Sequence, residues 1–152
     1  MKLAGPTAAA LLLTLFVPVA SGSTQLPTLL GDAAHFRLTW QVRPASILYT
    51  GDSTAILGGW DGRGIAHPGH LKWSSWTTRR AVGSGAVWID NCTPNCAHGI
   101  FVPDGAKVVA SRAVGGHFTR LSLRYIYRGK SHFERLGIRR IGSSRSYYVV
   151  KR

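Results

Sequence analysis

Phe118-Thr119-Arg120-Leu121-Ser122-Leu123-Arg124-Tyr125-Ile126-Tyr127-Arg128 is the stretch that decides the fold class. Successive side chains of an extended chain point to opposite sides, so an alternating run buries one face and wets the other. Thr119, Leu121, Leu123, Tyr125 and Tyr127 make one face; Phe118, Arg120, Ser122, Arg124, Ile126 and Arg128 make the other. The first is expected to pack on a core, and the second sets three guanidiniums in a row at four-residue spacing.

The pattern extends outward from this strand. Ala106 to Ala113 reads as a strand closed by Gly115-Gly116, and Gly129-Lys130-Ser131 as the turn that follows Arg128. Arg79 to Ile89 is another strand, with Gly83 and Gly85 inside it marking a bulge or the close approach of another backbone. Leu71 to Trp76, Thr54 to Leu57, Ser46 to Thr50, His35 to Trp40 and Tyr147 to Lys151 complete the candidates. Gly51-Asp52-Ser53 is a turn, and Gly58 to Gly69 reads as a Gly-rich loop. No segment keeps a helical period. The expectation is an all-β domain: a small antiparallel sandwich or barrel of about 7–8 short strands.

Ahead of that domain, Met1-Lys2 gives a charged start, Ala8 to Val17 is an apolar run, and small residues follow at Ala20 to Ser23. That order is the pattern of a cleavable signal peptide over residues 1–22, which implies export to the envelope or the medium. The run is shorter than the roughly 20 apolar residues that span a bilayer. Residues 23–43 are expected to be flexible or weakly structured, and residues 44–152 to form one β domain. Cys92 and Cys96 are the only cysteines. In an exported chain they are expected to form a disulfide across the turn-forming Thr93-Pro94-Asn95.

The chain carries 19 Lys and Arg against 6 Asp and Glu, a net charge of +13, and twelve of those cations lie after residue 100 with only Asp104 and Glu134 opposing them. Such asymmetry points to a polyanionic partner, with plain solubility as the competing reading.

A longer pattern links these elements: Tyr49-Thr50-Gly51-Asp52, Trp73-Ser74-Ser75-Trp76, Ala81-Val82-Gly83-Ser84-Gly85, and Cys92-Thr93-Pro94-Asn95-Cys96-Ala97-His98-Gly99. Over about residues 44 to 128 it resembles the small uncharacterised secreted proteins of actinobacteria, which join a W-x-x-W strand to a C-x-P-x-C-A-x-G loop. The resemblance implies export and an all-β fold. It carries no catalytic or binding residue over to this chain, which departs from the pattern at 58–70 and in the Arg-rich tail after Gly129.

No catalytic residue is assigned. His98 lacks an orienting carboxylate by spacing, and His67 with His70 is one pair where a metal needs three or four ligands, so neither a metal nor a cofactor is expected. Trp60 and Trp76 are candidates for an aromatic platform, with Trp73 and Trp88 beside them; packing is the competing role for all four. Trp73 and Trp76, three apart on a strand, are expected to face opposite sides.

The main binding candidate is the basic row Arg120, Arg124 and Arg128 with Lys130, Arg139 and Arg140, supplemented by Arg135, Arg145, Lys151 and Arg152. Tyr125 and Tyr127 fall on the face opposite the row, which argues against nucleic acid as the partner, since stacking and charge there share one groove. The sequence therefore reads first as an exported, non-enzymatic β domain held electrostatically on an anionic envelope or extracellular polymer or on lipid head groups. The alternatives are a secreted module that binds a specific partner through its Trp and disulfide-loop region, and a secreted hydrolase.

Overall fold

A computed structural model describes residues 25–32, 37–48, 50, 54–60, 64–140 and 147–151. The segment read as a signal peptide, the Gly51-Asp52-Ser53 turn, Arg145 and Arg152 lie outside the described residues, as do the side chains of Trp60, Arg139 and Arg140.

All regular structure among the described residues is β. The strands are β1 (Leu29–Asp32), β2 (Leu38–Gln41), β3 (Ile47–Leu48), β4 (Ala55–Leu57), β5 (Gly59–Trp60), β6 (Ala66–His67), β7 (Lys72–Trp76), β8 (Arg80–Asp90), β9 (Phe101–Val114), β10 (His117–Tyr127), β11 (Lys130–Arg140) and β12 (Tyr147–Lys151). Eight form one antiparallel sheet in the order β12-β11-β10-β9-β8-β4-β3, with β7 on the first half of β8. The four long central strands are a meander, each paired with its sequence neighbour. Gly115-Gly116 and Arg128-Gly129 turn two of its corners with positive φ at both residues, the geometry that matches strand twist in two-residue hairpins. The second corner therefore sits one residue earlier than the sequence suggested, and Lys130 opens β11.

Alternation places Ala81, Val87, Val108, Ala110, Leu121 and Leu123 on the inner face, all buried. Leu29, Ile47, Leu57, Leu71, Trp76 and Phe118 close over them. Burying a side chain of this size contributes about 1.5–3 kcal/mol. Leu29–Asp32 and Leu38–Gln41, within the segment expected to be flexible or weakly structured, pair as the β1–β2 ribbon, and Leu29 is fully buried in the common core. The ribbon is held at two places. Asp32 N–H donates to Ser46 O while Ser46 Oγ donates to Asp32 O; further along, Thr28 bridges β10 through Thr28 N–H to Gly116 O and Phe118 N–H to Thr28 O. β1 packs on both β3 and β12, the two ends of the sheet path, so the sheet curls around its core and the ribbon spans the opening.

Three local departures from the sequence reading have a physical cause. Trp73 and Trp76 share the core side because a bulge between Trp73 and Ser75 resets the alternation. Their indoles meet edge to face at 4.7 Å and donate to Pro44 O and Pro27 O. Phe118 leaves the outward face assigned to it and is fully buried, edge-on to Trp76 at 5.5 Å. Residues 58–70 include the small hairpin β5–β6, whose His67 packs on Trp88 and Phe101.

The glycines of the Ala81–Gly85 motif meet the expectation of close approach. A Cβ on Gly83 would lie 2.8 Å from the Trp73 ring, and one on Gly85 would lie 2.9 Å from Gly69 O.

Candidate functional site

The disulfide loop is held by its own covalent and hydrogen bonds. Cys92 and Cys96 are bonded with Cα atoms 3.8 Å apart. Asp90 Oδ1 accepts from Cys92 N–H, and Asn91 Oδ1 accepts from Thr93 and Ile100 N–H. Gly99 lies against the Asp90 carboxylate, where a Cβ would overlap it. His98 bonds Asn95 through both its backbone N–H and Nδ1, and among the described residues no carboxylate orients its ring. The loop thus orders the β8–β9 connection. Replacing both cysteines by Ala is expected to lower stability by about 2 kcal/mol, the chain-entropy value for so short a ring, read from urea unfolding.

Of the aromatic candidates, Trp76 is 7% exposed and offers no surface to a ligand. Trp88 is half-buried, its indole N–H donating to Pro68 O, in a minor cluster with Ile56 and Phe101. Trp73, Trp76 and Trp88 all pack on apolar neighbours, and these three do not make a shared platform. No group of three or more His, Cys, Asp or Glu gathers to hold a metal among the described residues.

The basic candidates separate. Arg120 and Arg124 stand exposed on the outward face of β10. Arg128 sits in the β10–β11 turn with its guanidinium over the Tyr127 ring at 5.2 Å. Lys130 pairs with Tyr127, on the opposite side from Arg124. The row read along one strand is instead a patch read across five. Lys72 opposes Ser84, Ser84 opposes Lys107, Lys107 opposes Arg124, and Arg124 opposes Phe133. At about 4.8 Å per strand this rung is about 19 Å long. The next rungs add Arg135, opposite Ser122, and Arg80 and Arg120, both opposite Ser111.

The same alternation sends the acids the other way. Asp104 opposes core-facing Val87, and Glu134 opposes core-facing Leu123 and accepts the Tyr125 hydroxyl at 3.0 Å. The C-terminal third thus keeps its two carboxylates on the inner face and Lys107, Arg120, Arg124 and Arg135 on the outer.

Two features of this outer face escape sequence reading. Phe133 lies in it, 53% exposed, with the guanidiniums of Arg135 and Arg124 5.4 and 5.8 Å from the ring centroid. β11 alternates, but two of its inward positions are His132, stacked on Tyr125, and Glu134, so no apolar period marks the strand. The second feature is a shallow groove of about 540 Å³ between Lys72 and Lys107, floored by Ser84, Ala86 and Gly105 and rimmed by His70. Lys and Arg around such a surface hold anions through charge-assisted hydrogen bonds, the Arg ones bidentate.

No family model, curated protein or solved structure matches the chain. Among the described residues no helix is long and apolar enough to cross a membrane.

Proposed function

We propose that this chain is an exported, non-enzymatic β domain that binds a polyanion through the outer face of β7–β11, and that it belongs with the small secreted actinobacterial proteins it resembles. One observation carries the reading: strand alternation sorts the charges, so that Lys72, Arg80, Lys107, Arg120, Arg124 and Arg135 share one exposed face while Asp104 and Glu134 turn inward. Outward cations are what any half-buried sheet shows; what composition alone does not ask for is that both opposing carboxylates take the inner face. Six cations on a surface about five strands wide match the repeating charge of a linear polymer better than a single small anion.

The reading is tested with inorganic polyphosphate as the probe. Affinity is expected to fall linearly on a log–log plot against salt, with a slope of roughly three to four for four to six phosphate contacts at the single-strand coefficient. Failure to bind at low ionic strength, or binding that salt leaves unchanged, would overturn it.

A further inference from the structure

Resting on that reading, we infer that the polyanion this face is built for is single-stranded nucleic acid: phosphates held by Lys107, Arg124 and Arg135, one base stacked on Phe133, and a neighbouring base or sugar seated in the groove over Gly105. The argument against nucleic acid drawn from the sequence was that the aromatic residues lie opposite the arginines. Phe133 removes it. Its ring sits directly across from Arg124, on the same face and on the same rung as Lys107 and Lys72. Ile126, 55% exposed, follows Arg124 on this face two positions along β10. Half-exposed Phe on an open sheet loses part of the benefit of burial, and a base that takes the place of a guanidinium over the ring supplies a broader flat partner.

Gly105 is the second, independent observation. Glycine in the middle of a strand weakens it and often marks close approach by a ligand or another backbone. For Gly83 and Gly85 the neighbour is part of the protein. At Gly105 no heavy atom of the described residues, its two chain neighbours aside, lies within 4 Å of where a Cβ would stand, and its φ lies outside the left-handed range. Neither packing nor backbone conformation asks for glycine there. What its absent side chain leaves is open backbone in the groove lining, two residues before Lys107 on the same face of β9.

The aromatic selects among anionic partners. Its ring is 53% exposed between the guanidiniums of Arg124 and Arg135, so the apolar spot is small and rimmed by charge. A single base fits such a spot. A bilayer surface engages apolar side chains that protrude, and a polyphosphate has nothing to stack.

The test compares a short oligodeoxythymidylate, polyphosphate of equal charge and phosphatidylglycerol vesicles, using the wild-type chain and the variants Phe133→Leu and Gly105→Val. Leucine keeps the apolar bulk and loses the stacking face, and valine puts a side chain into the groove from a position where its Cβ meets open space. Thermal unfolding checks that both variants fold. The inference predicts that the oligonucleotide binds more tightly than polyphosphate, that each variant weakens oligonucleotide binding roughly tenfold, and that polyphosphate binding stays as it was. Equal affinity for oligonucleotide and polyphosphate, untouched by either variant, would overturn the inference and leave the polyanion reading standing. Tighter binding to vesicles, lost in Phe133→Leu, would overturn it in favour of a lipid surface. Absence of binding to all three would remove both the inference and the reading beneath it.

Discussion

The triple variant Lys107→Gln, Arg120→Gln, Arg124→Gln is expected to bind polyphosphate about a hundredfold more weakly than the wild type at moderate salt. A cation near an anionic surface contributes about 1 kcal/mol, and three of them amount to roughly two orders of magnitude in affinity. The salt slope should fall with the affinity, by about 0.7 for each phosphate contact removed. The fold should be unmoved, because all three side chains stand exposed on the outer face and glutamine keeps most of their stems. Exposed substitutions of this kind usually change stability by no more than about 0.5 kcal/mol. Fluorescence anisotropy across a salt series gives affinity and slope together, and the unfolding midpoint gives the control. A variant that retains its affinity would show that these cations are bystanders.

The largest effect on stability is expected from Phe118→Ala. The side chain is fully buried, meets Trp76 edge-on, and lies where the N-terminal ribbon joins the meander, since its own N–H donates to Thr28 O. Trp76 in turn donates to Pro27 O, so the same two aromatic residues fasten both the start of the ribbon and the β7 edge to the core. Removing a buried Phe ring costs about 3–5 kcal/mol, combining lost transfer energy with the cavity left behind. Small domains have only about 5–15 kcal/mol in total, so the variant should unfold at much lower urea with an unchanged m-value. A loss below about 1 kcal/mol would mean that Phe118 is not a core residue, since large-to-small changes at buried sites do not come so cheaply.

The sequence made the meander legible where one face of a strand is uniformly apolar. Leu121, Leu123 and Tyr125 do this for β10, and the glycine pair at 115–116 marks its first corner. It was silent where polar groups satisfy one another inside. His132 and Glu134 face inward on β11 and find Tyr125 there, so the strand that carries Phe133 has no apolar period to detect. The Trp73 and Trp76 pair shows a second limit: one bulge after Trp73 reverses every facing argument beyond it, and nothing in Trp-Ser-Ser-Trp announces it. The basic outer face was half legible for a related reason. Charge along β10 can be read from Arg120 and Arg124, but charge across strands depends on register, and register joins Lys72, Lys107 and Arg124 from segments more than thirty and fifteen residues apart. Lys130 and Arg128, adjacent in sequence to that row, are turned away from it by the hairpin corner.

On the proposed reading the arrangement of charge, rather than its amount, makes the binding surface. The most direct test of that reading sets the outer-face variant Lys107→Gln, Arg120→Gln, Arg124→Gln beside an off-face variant of identical charge, Arg43→Gln, Arg112→Gln, Lys130→Gln. All six positions are exposed, and both variants lose three positive charges. With polyphosphate as ligand and the same salt series for each, the account predicts that the outer-face variant loses about a hundredfold in affinity and the off-face variant only about a few-fold, from the long-range field alone. Equal losses in the two variants would contradict it, and would show that the chain binds anions through its net charge and not through this face.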